Sequence, residues 1–182
     1  FHWCSDLALE RISDVAQRHD ASIHMHLLET PYQRAFARRE TGGSPLLTLE
    51  RFGLLNSRMT LGHGVWTSEN DLDAIAASDT RVCHNCSSNM RLKSGTAPVN
   101  DMLSRGIKVA IGIDEAGIND DRDMFAEMRL VLNSHRPPGH SAPAPSPAQV
   151  FKMASEYGAL STGFGARIGR LEPGRAADMV LL

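Results

Sequence analysis

Cysteine, aromatic residues and an excess of charge of one sign are all scarce in this sequence. Its 182 residues include three cysteines and 5% aromatic residues, and the formal net charge is -2. A small, odd number of cysteines does not make a disulfide framework, so we expect a reducing compartment, with the cytoplasm as the default. A nearly neutral chain without a polybasic run does not attract nucleic acid or an anionic membrane surface. We therefore expect neither nucleic-acid binding nor membrane binding.

Long hydrophobic runs are missing as well. No apolar stretch approaches the roughly 20 residues that a membrane-spanning helix needs. The composition, 42% hydrophobic and 22% charged, is typical of a globular protein with enough apolar mass for a core. The length and composition together predict one large domain, or part of one.

Strand patterns alternate with helix patterns along the chain. The predicted strands are "ASIHMHLL", "RMTLGH", "TRVCHN" and "IKVAIGID". Between and around them lie amphipathic helices, of which three begin at the capping residues Ser5, Thr30 and Ser68. This alternation predicts parallel strands joined by helical crossovers, either in an open sheet or in a barrel.

Polar side chains at the strand ends favour the barrel. His26 and Glu29 end the first strand, His63 ends the second, residues 85–89 follow the third, and Asp114 ends the fourth. In a (β/α)8 barrel all strand C-termini open onto one face, whereas an open sheet would spread them along a line. Because a full barrel has eight strands in about 250 residues, four strands predict half of one. Half a barrel exposes sheet edges, so we expect a longer chain, or another copy, to cover the opening.

Several motifs also resemble a known family. The stretches "HMHLLET", "LGHGVW", "HNCSSNMRLKSGTAPV", "IGIDEAGINDDRDMFAEMR" and "IGRLEPGRAADMVLL" are similar to the amidohydrolase superfamily, in its branch of cytosine, guanine and S-adenosylhomocysteine deaminases and triazine chlorohydrolases. The resemblance covers the C-terminal part of a typical member. It implies an α/β fold: barrel strands five to eight in residues 1–140, then closing helices and a tail toward a small β-domain in residues 141–182. The first strands of the family barrel are not included, nor is their strand-one His-x-His motif, which supplies two metal ligands. The "HMH" here imitates that motif, but the helix before it and the H-x-x-E pattern through it place it on strand five.

The resemblance implies a metal-dependent hydrolase that attacks a carbon–nitrogen bond of a small heterocyclic substrate, with an aminohydrolase (deaminase) favoured. Imidazole and carboxylate groups suit one divalent metal ion, Zn²⁺ or Fe²⁺, which activates water near neutral pH. His26 and Asp114 would bind the ion, and Asp114 would also carry a proton from water to the leaving group. His63 would orient the nucleophile, and Glu29 would protonate a ring nitrogen so that water can attack the adjacent carbon.

Three more residues are candidate substrate contacts. Ser88 and Asn89 follow the third strand, where side chains can line the mouth of a pocket, although Ser and Asn in a loop need no function. Glu115 replaces the small residue often found after the metal-binding aspartate in the family. We interpret it as a candidate contact for a cationic or amine-bearing substrate.

The motif "CHNC", with Cys83 and Cys86, allows three interpretations: half a zinc site, a redox pair, or a structural element. The sequence has no second cysteine pair, redox motifs of this kind usually open a helix, and the family commonly has proline where Cys86 stands. We therefore interpret both cysteines as structural.

Other functions remain open at this point. The same scaffold supports a chlorohydrolase or a cyclic amidase, which differ from a deaminase in the leaving group. A non-catalytic barrel relative, or an inactive fragment, is the third possibility, but it predicts damage at the ligand positions, and those positions are intact. We also expect a homo-oligomer.

Overall fold

Four parallel strands form one sheet in the order β1-β2-β3-β4. The computed structural model describes residues 1–115, 117–118 and 121–181, with His140 described by its backbone alone. The strands are β1 Ile23–Leu27, β2 Met59–His63, β3 Arg81–His84 and β4 Val109–Ile111. Each lies within a predicted strand, and the parallel α/β architecture is confirmed.

Helices connect the strands and follow the last one. They are α1 Asp6–His19, α2 Pro31–Thr41, α3 Pro45–Arg51, α4 Glu69–Ala77, α5 Cys86–Arg91, α6 Val99–Ser104, α7 Met124–Ser134, α8 Pro147–Ala154 and α9 Glu156–Ser161, with a 3-10 turn at Pro138–His140. Within the described ranges, no helix has both the length and the apolar character that crossing a bilayer requires. The short helices α3 and α5 were not predicted, because six or seven residues are too few to show helical periodicity.

The predicted helix starts are largely confirmed. The Ser5 hydroxyl accepts a hydrogen bond from the Ala8 amide, and Ser68 forms a full capping box with Asp71. At α2 the capping box is half formed. Thr30 accepts from the Gln33 amide at 3.3 Å, but the Gln33 side chain accepts from the Glu29 amide instead of from Thr30. This difference ties Gln33 to the end of β1.

The strand register divides the sheet into two faces. The inner face carries one row across the sheet, in which His26 pairs with Gly62, Gly62 with Cys83, and Cys83 with Ala110. The neighbouring row points the other way and packs against the helices; it consists of Met25, Leu61, Val82 and Val109. The apolar core therefore lies between the sheet and its helices. On β1, the inner-face residues His24 and His26 are exposed.

The C-terminal part differs from prediction at its tail. Helices α8 and α9 pack against β3, β4 and α7, as expected for closing helices. We expected the end of this tail, "MVLL", to begin a strand, but residues 179–181 are exposed and form no strand in the described structure; residue 182 lies outside it. A strand needs a neighbour for its backbone hydrogen bonds, and the described residues offer none there. The domain boundary at residue 140 and the small β-domain stay predictions.

Candidate metal and catalytic site

Three side chains from three different parts of the sheet converge at its C-terminal edge. His26 lies in β1, His63 ends β2, and Asp114 follows β4. The Nε2 atom of His26 lies 3.6 Å from Oδ1 of Asp114, and Nε2 of His63 lies 3.6 Å from Oδ2 of the same carboxylate. The structure thus brings the two predicted metal ligands, His26 and Asp114, together with His63, the residue predicted to orient the nucleophile.

The donor atoms of this group fit a divalent transition metal. One ligand atom from each of His26, His63 and Asp114 lies within 4.8 Å of the others. Ligands at about 2.0–2.1 Å from a tetrahedral ion are about 3.4 Å apart, so the observed separations need little adjustment. Two imidazoles and a carboxylate are the donors that Zn²⁺ and Fe²⁺ accept.

Unusual backbone conformations turn two of these residues toward the site. His63 and Asp114 have φ of 72° and 63°, in the left-handed region. Side chains that pair across β1 and β2 share a face, so His63 would follow its partner Leu27 into the core. Instead its ring lies 4.9 Å from the His26 ring. Non-glycine residues adopt this conformation at a cost of about 1–3 kcal/mol, and such strain concentrates at functional sites.

Ser88 and Asn89 form hydrogen bonds with two of the site residues. They lie in α5 and are buried, not at an exposed pocket mouth. The Ser88 hydroxyl donates to Oδ2 of Asp114 at 2.6 Å, and Oδ1 of Asn89 lies 2.8 Å from Nδ1 of His63. With the amide oxygen facing the ring, Nδ1 carries the proton, and Nε2 of His63 keeps its lone pair toward Asp114.

Glu29 is fixed by two residues that the sequence did not identify as part of a site. The Gln33 side-chain amide donates to Oε2 of Glu29 at 3.3 Å, and the Ser94 hydroxyl donates to Oε1 at 3.3 Å. Gln33 had a signal in its capping-box position, whereas Ser94 had none. Both carboxylate oxygens of Glu29 are therefore oriented by neighbours within the chain.

Glu115 is exposed at the start of the loop after β4. Its Oε1 accepts a hydrogen bond from the backbone amide of Gly117 at 2.9 Å. The described contacts thus turn this carboxylate toward its own loop. Its contact with a substrate stays a prediction.

The missing side chain of Gly62 leaves room for the His26 ring, and a substitution at Gly62 tests the role of this ring in metal binding. A Cβ at this position would lie 2.8 Å from Cδ2 of His26. We expect Gly62→Ala to displace the imidazole and weaken metal binding about 10–100-fold, the range typical of lost support around a ligand. The measurement is a metal titration. Gly43→Ala is the matched control, since its Cβ would come no closer than 3.4 Å to any atom; equal affinities for the two variants would contradict the prediction.

Comparison with known proteins finds zinc-bound structures that superpose on this chain. A solved adenosine deaminase from Xanthomonas campestris with bound zinc superposes with a TM-score of 0.90 and 33% identity, over 96% of this chain and 40% of that one. An atrazine chlorohydrolase from Arthrobacter aurescens complexed with zinc superposes with a TM-score of 0.88 and 27% identity, over 95% of this chain and 38% of that one.

The sequence relatives include a 5'-deoxyadenosine deaminase from Methanothermobacter thermautotrophicus. It is 36% identical over 179 residues, which are 98% of this chain and 42% of the relative. The chain thus spans about two fifths of the length of the curated relatives that it matches. A model of the amidohydrolase family matches residues 3–182. The resemblance seen in the motifs is therefore confirmed, and this chain belongs to the amidohydrolase family.

Proposed function

We propose that the whole protein is a metal-dependent aminohydrolase that removes ammonia from the purine ring of an adenosine-type nucleoside. The observation that carries the proposal is the convergence of His26, His63 and Asp114 within 4.8 Å at the ends of parallel strands. The matched relatives named as deaminases of adenosine and 5'-deoxyadenosine support the substrate class.

His26 and Asp114 are the residues of this chain that would hold the ion. The zinc bound in two matched structures supports zinc over iron, and we propose one ion at this site. The ion, when bound, supplies a Lewis acid that makes water nucleophilic at neutral pH.

The side chains of this chain supply the proton transfers. Asp114 accepts a proton from the attacking water and returns it to the departing amino group. Ser88 donates to Oδ2 of Asp114 and so fixes the carboxylate plane for both transfers. His63, with its proton on Nδ1, presents the Nε2 lone pair as an acceptor that orients the water. Glu29 donates a proton to a ring nitrogen, which makes the adjacent carbon susceptible to attack, and takes a proton back from the added hydroxyl as the product carbonyl forms.

Asn89 is proposed to position His63, and this role predicts a specific mutant phenotype. Asn89→Leu removes the acceptor of the Nδ1 proton while keeping a similar volume. We expect turnover to fall about 10–100-fold, with a smaller change in KM, because ring orientation matters most during the chemical step. Asn89→Asp, which keeps an acceptor oxygen, is the matched control and should recover part of the turnover. Equal turnover losses in both variants would contradict a positioning role.

The proposal is tested by product analysis with the metal-loaded whole protein. Adenosine, 5'-deoxyadenosine and a chlorinated triazine would be offered separately, and released ammonia and chloride would be measured. We expect ammonia from the nucleosides, and none from an Asp114→Asn variant. Chloride without ammonia would assign a chlorohydrolase, and no release from any substrate would indicate a non-catalytic relative. A homo-oligomer and a cytoplasmic location remain predictions of the sequence.

A further inference from the structure

A second group of metal-binding side chains lies on the opposite face of the sheet from the catalytic group. His84 pairs with Ile111 across β3 and β4, in a row that faces the helices. Cys86 is the first residue of α5, and His135 is the C-cap of α7. All three residues are buried, and one ligand atom from each lies within 4.8 Å of the others.

We propose that His84, Cys86 and His135 form a second, buried metal site that takes Zn²⁺ or a cation of similar softness. Two imidazoles and a thiolate are typical zinc ligands, and thiolate disfavours the hard ions Mg²⁺ and Ca²⁺. The inference does not rest on the proposed function, because it concerns different residues on the other side of β3.

The three donors can occupy three corners of a tetrahedral zinc site. The Nε2 atoms of His84 and His135 lie 3.0 Å apart. With Zn–N distances of about 2.0–2.1 Å and Zn–S of about 2.3 Å, tetrahedral geometry needs about 3.4 Å between nitrogens and about 3.6 Å between nitrogen and sulfur. A separation of the rings by a few tenths of an ångström, with the Cys86 sulfur, now within 4.8 Å of both donors, moving to about 3.6 Å from them, would admit the ion.

The surroundings keep the nitrogen donors in the form that binds metal. Burial lowers the pKa of His84 to about 3 and that of His135 to about 4, so both rings are neutral and have lone pairs to give. Nδ1 of His84 is buried without a hydrogen-bond partner in the described structure. With the ring proton on Nδ1, the Nε2 lone pair of His84 is free for the proposed ion.

The negative charges near the proposed second site suit a divalent cation. The Glu127 carboxylate is buried, accepts from the Ser87 amide at 3.0 Å, and is close enough to raise the pKa of Cys86. One thiolate and this carboxylate together balance the two charges of Zn²⁺. Burial, more than the charge of Glu127, raises the pKa of the Cys86 thiol to about 11. Binding therefore displaces the thiol proton, and one proton leaves for each ion bound.

The site would fasten three elements together. It would join the end of β3, the start of α5 and the end of α7, and α5 carries Ser88 and Asn89. An ion here supports the helix that positions His63 and Asp114 without contacting a substrate. We assign it a structural role.

The test counts metal per chain in the whole protein. Protein equilibrated with zinc and then dialysed would be analysed for bound zinc, as wild type and as the variants Cys86→Ala, Cys4→Ala and His26→Ala. We expect Cys86→Ala to lose one equivalent of zinc and His26→Ala to lose a different one, so that the losses add in the double variant. Cys4→Ala removes a thiol from outside both groups and should bind as the wild type does.

Cobalt gives a second readout that does not depend on activity. Co²⁺ bound to a thiolate shows a charge-transfer absorption that imidazole and carboxylate ligands do not produce. We expect this band in wild type and in His26→Ala, and its loss in Cys86→Ala and in the milder His135→Asn. The proposal is wrong if Cys86→Ala and His135→Asn bind as much zinc as the wild type and the wild type shows no thiolate band. The three residues then form only a buried hydrogen-bonded cluster.

Discussion

Glu29→Gln is expected to lower turnover about 10²–10⁴-fold while leaving the metal content unchanged. Glutamine has the same length, its amide oxygen can still accept from the Gln33 side chain, and its amide nitrogen can donate to the Ser94 hydroxyl, but it cannot give a proton to a substrate ring. Because a neutral aromatic ring resists attack by water, loss of this proton affects the chemical step more than binding.

The measurement for this variant combines metal analysis with turnover on adenosine and 5'-deoxyadenosine. Glu10→Gln, an exposed change on α1, is the matched control and should have wild-type values for both. Near-normal turnover in Glu29→Gln would remove Glu29 from the mechanism. Loss of the ion would show instead that this carboxylate is a ligand.

His26→Ala is expected to lose both metal and activity. The substitution deletes one of the donors that converge on the ion site, and we expect affinity to fall at least about 100-fold, beyond the effect of losing a supporting residue. The side chain is 56% exposed in the described chain, so its removal should leave the core packing unaffected.

Metal titration, and thermal unfolding with and without zinc, would show whether this variant loses the ion or loses its fold. Wild type should gain stability from zinc at the His26 site, and His26→Ala should lose that gain while its metal-free unfolding stays the same. His19→Ala, at the exposed end of α1, is the control. Wild-type zinc affinity in His26→Ala would contradict its assignment as a ligand.

The strand and helix order could be predicted because the sequence carries it locally. The strand segments are apolar, the helices begin at Ser5, Thr30 and Ser68, and the strand ends carry the reactive side chains. The parallel connection then places those ends at one edge, which is why His26 and Asp114 could be paired across distant positions.

The orientation of side chains at the site could not be predicted in the same way. Strict alternation along β2 would direct His63 into the core, and only its positive φ turns the ring toward His26. A backbone conformation of this kind is set by the surrounding fold and not by the identity of the residue alone. Glycines on either side of His63 were the one local signal.

Contacts between distant segments could not be predicted from the sequence either. Residues 86–91, which were expected to form a loop after β3, form the helix α5. This helix brings Ser88 and Asn89 into contact with Asp114 and His63. The interpretation of "CHNC" considered Cys83 and Cys86 as a pair, but the residue that completes the second group is His135, 49 positions beyond Cys86 in the sequence. No spacing pattern links residues that only the packing of α7 brings together.

The central claim, that His26 and Asp114 bind the catalytic ion, is tested most directly by anomalous diffraction at the zinc edge from crystals of the zinc-loaded whole protein. The account predicts a strong anomalous peak within bonding distance, about 2.0–2.2 Å, of His26 and the Asp114 carboxylate. A zinc-loaded crystal with no anomalous peak beside these two residues would contradict it.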